Sequence, residues 1–151
     1  MSMQLEPNTF KTVVESTPLV SIDLVVRNKL GNVLLGERTN RPAQGYWFVP
    51  GGRILKDETF EQAFKRLTQI ELGKELTLSE ARFLGPYEHH YSDNFSGTHF
   101  STHYVVLGYE VTVDIDTVDL PKEQHGDYRW WEVEELLCSD SVHQNTKDYF
   151  L

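Results

Sequence analysis

The chain has 151 residues, of which 39% are hydrophobic and 25% charged, and this length and composition predict one globular domain spanning 1–151. A formal net charge of −9 argues against broad binding to nucleic acids or anionic membranes, although a small anionic ligand stays compatible where a metal ion or local arginines offset the charge. Cys138 is the single cysteine, which excludes an intrachain disulfide and a thiolate metal cluster. The absence of a signal-type start and of a membrane-spanning apolar run predicts a cytoplasmic protein.

Hydrophobic periodicity predicts a strand-rich chain with one long central helix. Pro7 suits a first helical turn, so the chain is expected to open with a short helix. In chain order, we expect a helix at 7–15, strands at 19–27, 33–37 and 46–49, a helix between Thr59 and Gly73, strands at 82–91, 103–113 and 128–132, and short helices at 133–137 and 145–150. This order fits an α+β fold with a mixed sheet between helices, an α/β/α sandwich.

Asp23 lies in the middle of the first predicted strand. The apolar positions of that strand alternate and share one face: Val20, Ile22, Leu24 and Val26. Asp23 falls on the other face, together with Ser21 and Val25. Aspartate is disfavoured in strands, and the pattern alone leaves open whether its carboxylate faces solvent or a binding site.

The central predicted helix carries a carboxylate on its apolar side. Thr59 and Gln62 form a capping-box signature, and Gly73 is a typical stop. Between them an apolar stripe recurs at helical spacing: Phe60, Ala63, Phe64 and Leu67. Glu71 extends this stripe, so its carboxylate falls near the middle of the buried face, where an unpaired charge is costly. A cation and an arginine from elsewhere in the chain are both candidate partners.

Arginines and glycines flank the start of this stretch. Arg38 and Arg41 suit a diphosphate, because a guanidinium group grips phosphate oxygens bidentately, although solvated surface positions are the commoner fate of an arginine. Glycine allows close backbone approach, and the Gly51 carbonyl is a candidate ligand for a hard cation. The polar, aromatic-containing segment 92–102 is expected to form a lid or a sugar-side wall.

A spaced set of residues resembles the Nudix box of nucleoside-diphosphate hydrolases: Gly52, Glu58, Arg66, Glu71 and Gly73. In that family the loop and helix hold divalent metal ions against a diphosphate. The box is altered here, because Leu67 and Ile70 stand where the pattern has glutamate. The GDP-mannose mannosyl hydrolases carry a box altered in this manner. The whole chain is similar to that branch, including the segments 40–52, 93–98 and 123–125.

This resemblance implies a Mg²⁺-dependent hydrolase of GDP-mannose, with GDP-glucose as a second candidate substrate. Water would attack the anomeric carbon with inversion and release GDP and the free sugar. The missing carboxylates imply one metal ion, with Gly51, Glu71 and Gln124 as its ligands. Glu58 and Arg66 are expected to form an ion pair that fixes the loop to the helix.

The resemblance also implies roles for individual positions. His125 would be the base that activates water, since the ordinary pKa of histidine, about 6.5, leaves it neutral at working pH. The other roles carried over are sugar binding by Asp23, a hydrogen bond to the substrate from His89, help to the departing GDP from Tyr104 and Arg38, and substrate binding by Leu5, Phe10 and Arg38.

The family resemblance also implies a homodimer. Two alternative functions stay open. A conventional Nudix enzyme would attack phosphorus and release GMP and a sugar 1-phosphate. A non-catalytic nucleotide-sugar sensor would bind GDP-mannose without turnover. All three readings share a small-molecule nucleotide sugar as the partner, with no nucleic acid and no membrane.

Overall fold

The computed structural model describes residues 5–116, 119–121 and 125–151, with His125 described by its backbone alone. Over these residues the secondary structure follows the predicted order with one addition. A short strand at Gly51–Arg53 stands where a glycine turn and loop were expected, because this segment pairs with the first strand. The helices are α1 Pro7–Ser16, α2 Phe60–Leu72, α3 Val133–Cys138 and α4 Gln144–Lys147, with short 3₁₀ turns at Leu78–Glu80 and Asp148–Phe150. The strands are β1 Leu19–Arg27, β2 Val33–Arg38, β3 Trp47–Phe48, β4 Gly51–Arg53, β5 Arg82–Tyr91, β6 Thr102–Thr112 and β7 His125–Trp131.

Seven strands of the described residues form one mixed sheet centred on β1. β1 pairs in parallel with β6 along its whole length, beginning with Leu19 opposite Tyr104. Its other edge is shared by two antiparallel partners, because β2 pairs at Arg27 and β4 pairs at residues 21–23. β5 extends the sheet beyond β6, and β3 and β7 both pair with β2. The predicted α+β class with a mixed sheet is confirmed.

Helices cover both faces of this sheet. On one face, α2 packs Ala63, Phe64 and Leu67 against Ile22 and Leu24 of β1. The opposite face carries a second cluster with contributions from β1, β2, β7 and the segment that includes α3: Val25, Val33, Leu35, Trp131, Leu136 and Val142. Burial of these side chains on two faces is the main favourable term for the fold. The sheet therefore lies between helices, as the sandwich prediction requires.

The predicted one-sided burial of β1 is wrong at two positions. Val20, expected on the apolar face, is 44% exposed, whereas Val25, expected on the polar face, is fully buried. A centre strand that is covered on both faces buries both of them, which accounts for Val25. Val20 is the second residue of β1, near the end of the strand, and remains exposed there.

α2 begins and ends where its capping signals predict. The Gln62 N–H donates to Thr59 Oγ1 at 3.1 Å, and the Thr59 N–H donates to the Gln62 side chain at 2.9 Å. Gly73 has a φ of +71° and ends the helix. Phe60 is the exception to the predicted stripe, because it is 54% exposed. Phe60 is the first residue of α2 and lies outside the core, which the helix enters at Ala63 and Phe64.

Several boundaries at the end of the chain differ from the prediction. β7 begins at His125, expected in a loop, because the ladder with β2 extends as far as Arg38 opposite His125. The tail splits into α4 and the 3₁₀ turn Asp148–Phe150 instead of forming one helix over 145–150. Over the described ranges, none of the helices has both the length and the apolar character needed to cross a bilayer.

Candidate active site

A cavity of about 850 Å³ lies beside β1, β4 and α2. Its wall collects side chains from segments that are far apart in the sequence, including α1, β5, β6 and the loop after β5. The predicted site residues that line it are Phe10, Asp23, Arg38, Gly51, His89 and Tyr104. The cavity thus unites most of the positions selected by resemblance.

The sheet register explains this convergence. Asp23 of β1 lies opposite Gly51 of β4. His89 of β5 lies opposite Tyr104 of β6, and β6 is the parallel neighbour of β1. Residues that alternate on a pleated strand point to one face, so paired positions on adjacent strands bring their side chains together.

Asp23 lines the cavity, and its carboxylate is held there by a hydrogen bond. The Tyr149 hydroxyl donates to Asp23 Oδ2 at 2.7 Å. Burial raises the pKa of Asp23 to about 7, while the Tyr149 hydrogen bond and the positive charge of Arg38 act in the opposite direction. The carboxyl group therefore titrates near neutrality. Sequence reasoning missed Tyr149, since no local signal links it to a residue 126 positions away.

His89 and Tyr104 bring neutral polar groups to the same wall. His89 is 5% exposed, and its Nε2 is buried without a hydrogen-bond partner in the described part of the chain. Burial, followed by the nearby His143 charge, lowers the pKa of His89 to about 4, so the imidazole is neutral at physiological pH. Burial raises the pKa of Tyr104, which keeps its phenol protonated. Both groups can bind a ligand without contributing charge.

Cations and aromatic rings form another part of the wall. The Arg38 Nε donates to the Pro42 carbonyl at 3.0 Å, which anchors its guanidinium group at the cavity. The guanidinium carbon of Arg53 lies 4.5 Å from the centre of the Phe10 ring, and the Phe10 and Phe95 rings are 4.8 Å apart. Sequence reasoning did not select Arg53. It placed Phe95 in the predicted lid segment but gave it no role of its own.

The predicted ion pair between Glu58 and Arg66 is confirmed. Arg66 Nε donates to Glu58 Oε2 at 2.7 Å, and Arg66 Nη2 donates to Glu58 Oε1 at 3.0 Å. Arg66 Nη2 also donates to the Arg53 carbonyl at 2.7 Å, and the Leu55 N–H donates to Glu58 Oε1 at 2.8 Å. The hydrogen bonds from Arg66 are the main reason why the pKa of Glu58 is lowered. The pair ties the loop before α2 to the helix.

Glu71 is buried, at 3% exposure, and lies against the backbone of Gly51. The Gly51 N–H donates to Glu71 Oε1 at 3.3 Å, a partner that neither alternative from the sequence named. A side chain at position 51 would bring a Cβ to 2.4 Å from the Ile22 carbonyl oxygen and 2.7 Å from Asp23 Oδ1. Glycine is therefore required for the approach of β4 to β1 at this point.

The Gly51 carbonyl is directed away from β1. The Leu24 N–H donates to the Pro50 carbonyl, and the Ile54 N–H donates to the Val20 carbonyl. Hydrogen-bonded and non-hydrogen-bonded pairs alternate along an antiparallel ladder, so Asp23 and Gly51 form a non-hydrogen-bonded pair. The N–H and C=O of Gly51 therefore make no hydrogen bond to β1. The N–H and C=O of one strand residue point to the same side, which turns this carbonyl toward the side occupied by Glu71.

These two groups fit a hard divalent cation, which prefers carboxylate and backbone oxygens. Leu67 and Ile70, at the positions of two glutamates in the Nudix pattern, line the cavity with apolar groups. No cluster of three or more His, Cys, Asp or Glu side chains suited to one ion occurs within 5–116, 119–121 and 125–151. The donor set is therefore small, with one carboxylate and one carbonyl.

Four predicted positions do not join the described cavity wall. Glu71 lies behind it, against Gly51, which does line the cavity. Leu5 is exposed and is not one of its described lining residues. The His125 backbone lies opposite Arg38 at the start of β7, with its side chain outside the description. Gln124 falls outside the described residues.

Comparisons with known proteins identify the family and the fold. The NUDIX domain family matches residues 17–150. The low-salt glycan biosynthesis protein Agl8 of Haloferax volcanii is 40% identical over 129 residues, which cover 85% of this chain and 80% of that protein. The solved MutT protein from Methanosarcina mazei Go1 has a TM-score of 0.71 at 21% identity, over 89% of this chain and 92% of that one. The NUDIX domain of Shewanella oneidensis NrtR, solved with ADP ribose, has a TM-score of 0.66 at 19% identity, over 97% and 96%. These solved structures share the fold, and the family match together with the curated relative shows that the chain belongs to the Nudix family.

Proposed function

We propose that this Nudix protein hydrolyses GDP-mannose to GDP and free mannose, with water attacking the anomeric carbon. The observation that supports this reaction most directly is the lining of the cavity. Leu67 and Ile70 replace two carboxylates that a conventional box would offer to metal ions, whereas Asp23 and His89 line the same cavity. A carboxylate and a neutral imidazole are suited to sugar hydroxyl groups, because each hydroxyl both donates and accepts.

The charge balance of the cavity favours departure of a diphosphate. Arg38 and Arg53 both line it, and a guanidinium group binds phosphate oxygens in a bidentate manner. Tyr104 adds a protonated phenol that can donate to a leaving oxygen. A Mg²⁺ ion held by Glu71 and the Gly51 carbonyl, with Gln124 as a third ligand, would supply further neutralisation of the diphosphate charge.

Residues that contact the sugar and the water complete the proposed arrangement. Asp23 accepts hydrogen bonds from the mannosyl group, and His89 uses its unpaired buried Nε2 for the same group. Phe10 contributes to the nucleotide side of the cavity, and Leu5 is assigned there by resemblance. His125 is assigned as the base on resemblance, and its backbone position opposite Arg38 is compatible with that role.

The substrate class gains support from the Haloferax volcanii relative, whose name refers to glycan biosynthesis. Glycans are built from activated sugars, so a nucleotide sugar is a reasonable substrate for a protein of this similarity. The proposal extends to GDP-glucose as a second substrate, to a cytoplasmic location and to a homodimer, for which sedimentation of the purified protein is the test.

The position of water attack is tested by hydrolysis of GDP-mannose with Mg²⁺ in ¹⁸O-labelled water. Label in the C1 hydroxyl of mannose supports the proposed reaction. Label in a phosphate of GMP or mannose 1-phosphate would overturn it in favour of attack on phosphorus. Tight binding of GDP-mannose without any product would instead indicate a sensor.

The base is tested with His125→Leu, which should lower kcat by about two orders of magnitude with KM roughly kept. His99→Leu is a matched control, since His99 is exposed and is not one of the described cavity-lining residues. A wild-type rate for His125→Leu would remove this residue from the mechanism.

A further inference from the structure

Tyr149, near the end of the described chain, contacts a carboxylate of the candidate active site. Tyr149 lies in the 3₁₀ turn Asp148–Phe150, and its hydroxyl donates to Asp23 Oδ2 at 2.7 Å. Tyr149 is not among the described residues that line the cavity. Its hydroxyl contacts Asp23, and its ring centre lies 6.4 Å from that of His89 in an edge-to-face arrangement. Both of these neighbours line the cavity.

The Tyr149 ring is held in a space that a glycine creates. Gly108 of β6 lies opposite Asp23 of β1 in the parallel ladder. A Cβ at position 108 would lie 2.8 Å from Tyr149 Cε1 and 3.4 Å from the Tyr87 ring. The Tyr87 and Tyr149 rings pack with their centres 4.4 Å apart. The ring therefore rests directly on the β6 backbone, which leaves little freedom to its hydroxyl group.

Asp23 is also confined by β4, on the opposite edge of β1 from β6. Asp23 has Gly51 of β4 as its neighbour across the antiparallel ladder, and the Cβ position of Gly51 lies 2.7 Å from Asp23 Oδ1. The carboxylate is thus enclosed between two glycine-bearing strands, with Oδ1 next to Gly51 and Oδ2 at the Tyr149 hydroxyl. Among the described residues, the hydrogen bond from Tyr149 is the one made to this carboxylate, which leaves Oδ1 available to a ligand.

Tyr149 is the donor in its hydrogen bond with the Asp23 carboxylate. Burial, followed by the negative charge of Asp23, raises the pKa of the Tyr149 phenol far above its usual range, so the hydroxyl keeps its proton. A phenol that donates to a carboxylate forms one of the stronger hydrogen bonds in proteins. It selects one orientation of the Asp23 side chain from those that the strand backbone would allow.

We propose that Tyr149 is a positioning residue that orients the Asp23 carboxylate toward the sugar part of the substrate, an inference that rests on the proposed function. The C-terminal turn thereby contributes to recognition of the sugar without touching it. Binding of the GDP part does not depend on Tyr149, because Arg38, Arg53 and Phe10 lie in other segments of the chain.

The test compares the wild type with Tyr149→Phe, Asp23→Ala, the double variant and Tyr87→Phe. Phenylalanine keeps the ring that packs on Gly108 and removes only the hydroxyl, while Tyr87→Phe is the matched control in the neighbouring ring. The quantities measured are kcat/KM for GDP-mannose and the inhibition constant of GDP. We expect Tyr149→Phe to lower kcat/KM about tenfold, as for the loss of a hydrogen bond to a charged group, with GDP inhibition unchanged. Tyr87→Phe should match the wild type.

The double variant decides whether Tyr149 acts through Asp23. In the Asp23→Ala background, Tyr149→Phe should have no further effect on kcat/KM, because effects that pass through one residue do not add. An undiminished effect in that background, equal losses for GDP-mannose and GDP, or a wild-type rate for Tyr149→Phe would each overturn the inference.

Failure of the proposed function is a separate result, in which the wild type itself releases no mannose. The melting temperatures of the same proteins then decide the inference. Shifts of the two single variants that fail to add in the double variant support positioning of Asp23 by Tyr149, and shifts that add refute it.

Discussion

Asp23 should make the stability of the protein fall as the pH rises from about 4 to about 7. Burial raises its pKa from 3.8 to about 7 in the folded state, while the unfolded chain keeps a value of about 3.9. Between these two values the folded state binds more protons than the unfolded state. The free energy of unfolding therefore decreases with increasing pH in this range, because deprotonation favours the unfolded chain.

The magnitude follows from the two pKa values. One unit of pKa is worth about 1.4 kcal/mol, so the full change amounts to about 4 kcal/mol once Asp23 is ionised. Asp23→Asn removes the titrating group and keeps an acceptor for the Tyr149 hydroxyl. Relative to the wild type, the variant should gain up to about 4 kcal/mol between pH 4 and pH 8, although it loses the proposed activity.

Urea unfolding at a series of pH values, with EDTA present, measures this difference. All other carboxyl groups are common to both proteins, so the difference between the two profiles isolates Asp23. Asp140→Asn is a suitable control, because Asp140 is exposed. Parallel profiles for the wild type and Asp23→Asn over this range would refute the reasoning.

Three further predictions concern the loop and α2. Gly51→Ala should lower the free energy of unfolding, measured by thermal unfolding, by at least about 2 kcal/mol more than Gly52→Ala does. The added Cβ meets backbone atoms at position 51 but a flexible leucine methyl group at position 52. Equal losses of stability would contradict the close approach of β4 to β1. Glu71→Gln should raise the Mg²⁺ concentration needed for half-maximal activity about tenfold with the fold retained, since the amide still accepts the Gly51 N–H; an unchanged requirement would place the ion elsewhere. Glu58→Gln should lower the free energy of unfolding at pH 7 by about 1–3 kcal/mol. The difference from the wild type should vanish as the pH falls through the lowered pKa of Glu58, because the wild type then loses its ion pair with Arg66 as well. A difference that persists at low pH would exclude the ion pair as its cause.

Features that depend on neighbouring residues were predicted well from the sequence. The bounds of α2 follow from Thr59, Gln62 and Gly73, whose side chain or backbone acts within one helical turn. The pairing of Glu58 with Arg66 also follows from the box spacing, because the loop residue and the residue in the middle of α2 are only eight positions apart along the chain.

Features that depend on tertiary contacts were not predictable from local patterns. The burial of Val25 requires knowledge that a second layer covers the sheet, and alternation cannot reveal it. The Gly51 N–H became the partner of Glu71 because the β1–β4 register leaves that group free of β1. Tyr149 reaches Asp23 across nearly the whole sequence, and only the parallel β1–β6 pair with Gly108 makes room for it.

The parallel β1–β6 ladder has a consequence for biosynthesis. β1 leaves the ribosome well before its full-length partner β6, which begins only at Thr102. Pairings between distant segments form slowly, and an unpaired edge strand invites intermolecular association in the meantime. A nascent or truncated chain without β6 would therefore expose one side of β1 along its length. Such a chain would be a natural target for chaperones and proteases.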